Sequence, residues 1–217
     1  MSTPSFAEIA RFICGRDPQG LAADAVVSDV AVPLRRALPA VWRTFMQDVG
    51  DEAELLSAFQ QFRAPADLDI VDGHVVFLEE NQGVVLWAFR LGDNNPDDPD
   101  VVQFVVTDEG LDGPFSEQTP LGAFLRATLI MQATHGDGLL PHIGYVERGL
   151  GTAAVLEAAG LRVVANAGTL TALMGDDAIA TIVADDDGET VIVATTAPAT
   201  FDRFAAVLGI DADVFEL

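Results

Sequence analysis

Lysine is absent from this chain: all eleven basic residues are arginine, against 34 Asp and Glu, and the formal net charge is −23 over 217 residues. A surface so short of positive charge repels phosphate backbones, which argues against a nucleic-acid or anionic-membrane partner and favours a basic one. Cysteine is nearly absent too. The single Cys14 can form no intramolecular disulfide and supply no cysteine-rich zinc site, which fits a reducing compartment; it reads as a small buried apolar residue. No run approaches the roughly 18 apolar residues of a membrane span, and Met1–Ser5 has no basic leader. The expectation is a soluble, cytoplasmic protein.

Patterns that carry chemistry are equally scarce. His74, His135 and His142 fall outside any HExxH motif and have no Cys partner, so no metal is expected. Asp185-Asp186-Asp187-Gly188 lacks the alternating order and downstream Glu of a calcium loop and reads as an acidic hairpin turn. There is no G-x-S-x-G elbow and no serine with a plausible His partner. Arg148-Gly149-Leu150-Gly151-Thr152-Ala153 does match the R-x-x-G-x-A turn with which GNAT acetyltransferases cradle the coenzyme A pyrophosphate. A helix at 121–134 stands where such an enzyme needs a meander, so an acyltransferase is the least favoured alternative and a loop before a small helix the preferred reading.

What is present is a foldable core: half of the residues are apolar, thirteen of them Phe. Ser5 and Glu8 form a capping box ahead of Phe6, Ile9 and Ile13, and Gly15 ends that helix. Residues 15–33 read mostly as loop. Leu38, Val41, Trp42, Phe45, Met46 and Val49 predict a helix closed by Gly50, and Leu55, Leu56, Phe59 and Phe62 a second one from Glu52 to about Phe62. The period then changes to short apolar runs: 74–78 and 84–89 as a hairpin buried on both faces, and 101–106 as a third strand. Thr119 as cap and Pro120 at the first position open a helix whose predicted buried stripe is Leu121, Phe124, Leu125, Thr128, Leu129 and Met131. A short helix at 152–159, a strand at 161–165, a hairpin of 178–184 with 189–195 and a helix over Phe201–Leu208 follow. Helix pair, meander, helix is an α+β order. With no linker and no repeat, the prediction is a single domain, 1–217, with a central, mostly antiparallel sheet packed by helices and a C-terminal part, 139–217, that extends or packs on that sheet.

One stretch resembles a known family. Arg43-Thr44-Phe45 through Gly50, Leu56-x-x-Phe59, Pro65-x-x-Leu68 and then Asp72-Gly73-His74-Val75-Val76-Phe77-x-x-Glu80-Asn81-Gln82-Gly83-Val84-x-x-Trp87 are similar to the SUKH superfamily, the Syd/Knr-like proteins. The hallmark strand G-x-L-V-F-x-x-E-N-Q-x-V-x-x-W is matched with Val75 in place of Leu, and the resemblance spans about 38–134. It implies an α+β domain with no cofactor, most often an immunity protein that neutralises a polymorphic toxin such as a nuclease; some relatives are regulatory scaffolds instead.

The residues themselves offer two contact candidates. Glu80, Asn81 and Gln82 form a polar turn that either touches a partner or simply builds the hairpin, with Asn81 and Gly83 making the turn and Gln82 satisfying its backbone. Asp93, Asp97, Asp98 and Asp100, joined by Asp108, Glu109 and Asp112, concentrate acid in one segment, as expected of a face that steers a basic toxin and mimics phosphate. Hydrated surface charge is the competing account, and genome composition or salt adaptation explains the missing lysines. Trp87 reads as core.

Overall fold

The computed structural model describes residues 3–28, 30, 34, 38–92 and 95–215. Helix α1 (Phe6–Cys14) starts at Ser5, whose hydroxyl accepts from the Glu8 amide while the Glu8 carboxylate accepts from the Ser5 amide. Gly15 ends it in the left-handed region at φ 66°. A short helix, α2 (Ala23–Ser28), occupies part of the stretch expected to be loop. Helix α3 (Ala40–Val49) buries Trp42, Phe45, Met46 and Val49 as its spacing requires.

The second predicted helix is cut to one turn, α4 (Ala53–Leu56), and its expected end becomes strand β1 (Gln61–Phe62). The cause lies some seventy residues away. Gln132 Oε1 accepts the amide hydrogens of Phe59 (2.9 Å) and Gln60 (2.6 Å), donors that a continuing helix would give to its own carbonyls. After a 3-10 turn (Pro65–Asp67) come β2 (Asp69–Val71), β3 (His74–Glu79), β4 (Val85–Arg90), β5 (Asp100–Thr107) and β6 (Gly110–Pro120). They form an antiparallel sheet in the order β1-β3-β4-β5-β6, with β2 also on β3. The pattern of apolar residues does not reveal β6, which carries two Gly and two Pro and is exposed over most of its length.

Helix α5 (Leu121–His135) is buried nearly all round rather than along one stripe: Gly122, Ala127, Ile130, Gln132, Ala133 and Thr134 are covered as well, while Met131 is only half-buried. The C-terminal part does not extend the first sheet. Strands β7 (His142–Arg148), β8 (Arg162–Ala167), β9 (Leu170–Met174), β10 (Ala178–Ala184) and β11 (Glu189–Thr195) make a second antiparallel sheet, ordered β7-β11-β10-β9-β8. One face of this sheet lies on α5. Ala172, Met174, Ile179 and Ala194 share a core with Phe77, Phe89 and Leu125, and the Thr134 and Thr181 hydroxyls meet at 3.0 Å.

The opposite face packs under α6 (Thr152–Ala158), α7 (Pro198–Leu208) and α8 (Ala212–Phe215), with Leu173, Val191 and Val193 against Leu156, Phe204 and Leu208. The whole is a single α+β domain whose central helix is enclosed by the N-terminal helices and two sheets. Among the described residues no helix is long and apolar enough to cross a membrane.

Candidate functional site

The acidic segment that is continuous in sequence is divided in space. Strand β5 separates Asp97, Asp98 and Asp100 from Asp108 and Glu109 by its own length, about 23 Å for eight residues, and Asp112 lies toward the same far end, opposite Val105. Asp93 lies outside the described residues. The expectation of one acidic face is therefore corrected, for the six described acids, to two separate ends of the first sheet.

At the first end the Asp98 carboxylate is structural. Asp98 Oδ1 accepts the Gly122 amide at 2.7 Å and the Pro99 carbonyl accepts that of Leu121 at 2.8 Å, so the start of α5 is capped from this loop. Thr119, the expected cap, instead donates its hydroxyl to the Glu117 carbonyl and accepts the Gly168 amide. The Asp97 carbonyl accepts the Val41 amide at the start of α3, and Asp97 lines a recess of about 380 Å³ with Arg43 and Arg90. Asp100, exposed, opens β5 opposite Pro120.

At the other end the β3–β4 and β5–β6 turns lie side by side, because the Val106 amide donates to the Val84 carbonyl at 2.8 Å. Glu80, Asn81 and Gln82 occupy the first turn; Asp108 and Glu109 form the second, and Asp112 pairs with Val105 just beyond it. Glu80 folds back on its own turn: its carboxylate accepts the Gln82 amide at 2.9 Å, its carbonyl accepts that of Gly83, and Gly83 takes φ 72°. So Glu80, rather than Gln82, satisfies the turn backbone. The Asn81 amide donates to Gln60 Oε1, and the Asn81 and Gln82 side chains stay exposed.

Between the acids lies apolar surface that sequence patterning did not single out. Val84 (46% exposed), Val106 (40%) and Leu111 (42%) share the outer face of the sheet, Val106 directly opposite Leu111. Alternation would have placed them on one face, but their exposure arises because no described residue covers them at the sheet's end. Trp87, expected in the core, is half-buried: its indole N–H donates to Glu117 Oε1 at 2.9 Å and its ring lies 5.9 Å from that of Phe124.

The remaining candidates are dispersed. His74, His135 and His142 sit in β3, at the end of α5 and at the start of β7, and among the described residues no group of three or more His, Cys, Asp or Glu is placed to hold a metal. Burial holds the His135 pKa below its ordinary value, against a hydrogen bond to the Met131 backbone that raises it. Burial and the neighbouring Glu52 charge push the Cys14 thiol up, which keeps it protonated and a poor nucleophile.

The turn of the GNAT-like motif is occupied from within. Glu189 accepts the amides of Gly151 (3.0 Å) and Thr152 (2.9 Å), the donors a pyrophosphate would need. Burial alone would raise the Glu189 pKa, but hydrogen bonds from the Thr152 hydroxyl and these two amides outweigh it and lower the value. A carboxylate fixed there repels an anionic ligand.

Comparison with protein-family models, with curated proteins and with solved structures returns no match for this chain.

Proposed function

We propose that this chain is a cytoplasmic, cofactor-free protein-binding module that masks a basic protein, in the manner the SUKH resemblance implies for an immunity protein facing a nuclease-type toxin. The contact surface in this reading is the end of the first sheet where the β3–β4 and β5–β6 turns meet. The observation that carries it is the Val106–Val84 hydrogen bond, which brings the turns holding Glu80, Gln82, Asp108 and Glu109 around exposed Val84, Val106 and Leu111. An apolar centre inside a charged rim is the usual anatomy of a specific interface. The rim charge accelerates encounter with a basic groove, and the apolar centre supplies the desolvation that holds the complex.

The test is capture of the protein encoded beside this chain, followed by co-expression. Salt-sensitive binding together with rescue of cells poisoned by that neighbour supports the immunity role. Binding without rescue replaces it with a scaffold role, and absence of binding at low salt overturns the reading.

A further inference from the structure

We propose that the outer edge of β7 is a strand-addition site for an extended basic peptide, separate from the surface assigned above. A free strand edge is a template for another strand unless the chain blunts it. Among the described residues, three of the four sheet edges are blunted. Strand β6 contains Pro114, which has no N–H, and its register against β5 shifts twice. Strand β8 has a register shift against β9 between Val163 and Ala165, and β1 and β2 are two and three residues long. By contrast β7 runs seven residues without proline or bulge, in unbroken register with β11, and pairs with no other strand among the described residues.

The side chains along this edge grade from apolar to acidic. Ile143, Tyr145 and Glu147 alternate onto one face, with Tyr145 49% exposed. At the Ile143 end is a recess of about 360 Å³ lined by Leu140 and Pro141 together with Thr134, His135 and the single acid Asp137. At the Glu147 end is one of about 260 Å³ lined by Asp185, Asp187 and Glu189. Arg148 also lines that second recess, and its guanidinium donates to the Leu208 carbonyl. Among the described residues no arginine forms an ion pair with Glu147, Asp185 or Asp187.

Opposite them a paired peptide presents every second side chain. Ile143 and Glu147 are four residues, about 13 Å, apart. The matching peptide therefore carries an apolar residue and a Lys or Arg four positions from each other, its main chain bonded to β7. Gly144 keeps this strand in place: a Cβ there would clash with the Phe215 carbonyl oxygen and come within 2.8 Å of Phe201 Cζ, so α8 and α7 pack directly against its backbone, on the face opposite that of Ile143, Tyr145 and Glu147.

The experiment is an oriented library of blocked, bead-bound heptapeptides with threonine at odd positions and all amino acids at even ones, followed by solution binding of the selected peptide. The expected selection is an apolar and a basic residue at the two outer even positions. Hydrogen exchange should then slow in β7. Glu147→Lys, an exposed site, should weaken binding about tenfold or more. The same peptide N-methylated at alternate residues should lose binding at least as severely, which requires no change in the protein. A library that yields no selection, N-methylated peptide that binds as tightly as its parent, or protection at the β3–β4 and β5–β6 turns in place of β7 would overturn the proposal.

Discussion

Gln132, fully buried on α5, gives its whole side-chain amide to the backbone at Gln60: Oε1 accepts the Gln60 amide at 2.6 Å and Nε2 donates to the Gln60 carbonyl at 2.7 Å. Gln60 in turn uses its own side chain to hold the Asn81 amide at 2.9 Å. The central helix is thereby linked, through one residue, to the Glu80-Asn81-Gln82 turn. Replacing Gln132 with Leu strands the Phe59 and Gln60 amides and the Gln60 carbonyl, and we expect a loss of about 2–4 kcal/mol. Urea unfolding checks this, as a lower midpoint at unchanged slope; an unshifted midpoint would show that the contact is dispensable.

Acid unfolding should register Glu52. Hydrogen bonds from Arg16, at 2.7 Å to each carboxylate oxygen, are the largest influence on its pKa, and with the Gln19 amide and the Arg16 charge they outweigh the burial that pushes it up. Its folded pKa is below the ordinary 4.5, so its contribution is present above that value and is lost as pH falls through the folded pKa. The stability difference between the native protein and Glu52→Gln should be largest near neutrality and shrink steadily below pH 4.5. Parallel denaturation curves of the two proteins measure it, and a difference that grows on acidification contradicts the assignment.

Asp98 and Asp100 are predicted to behave differently although they are two residues apart, Asp98 in the loop and Asp100 at the first position of β5. Asp98→Ala removes the cap from α5 and should cost about 1 kcal/mol, while Asp98→Asn keeps an acceptor and should cost less. Asp100→Ala, exposed and away from that cap, should stay within about 0.5 kcal/mol of the native protein. Thermal unfolding of the three variants separates them.

These residues also show where the sequence was legible. Local rules worked where the determinant is local: Ser5, Glu8 and Gly15 bound α1, and the acidic turn at 185–188 joins β10 to β11. They failed where a partner arrives from far along the chain. Leu55, Leu56, Phe59 and Phe62 do have helical spacing, but Gln132 takes the amides that would extend α4. Asp98 looked like contact surface because nothing nearby in sequence shows that it caps a helix beginning more than twenty residues later. The clustering of Asp97 with Asp112 was real along the chain and lost in space, because an extended strand is the element that carries neighbours in sequence farthest apart.

Whether the partner docks on the end of the first sheet is read from the affinity of the purified neighbour-encoded protein for two charge-reversed variants. We expect Asp108→Lys with Glu109→Lys to weaken binding about tenfold or more, chiefly through slower association, with the native affinity itself falling between about 50 mM and about 500 mM salt. Asp97→Lys with Asp100→Lys, at the far end of β5, should leave the affinity within about twofold. The opposite pattern, or equal losses from both pairs, would contradict the account.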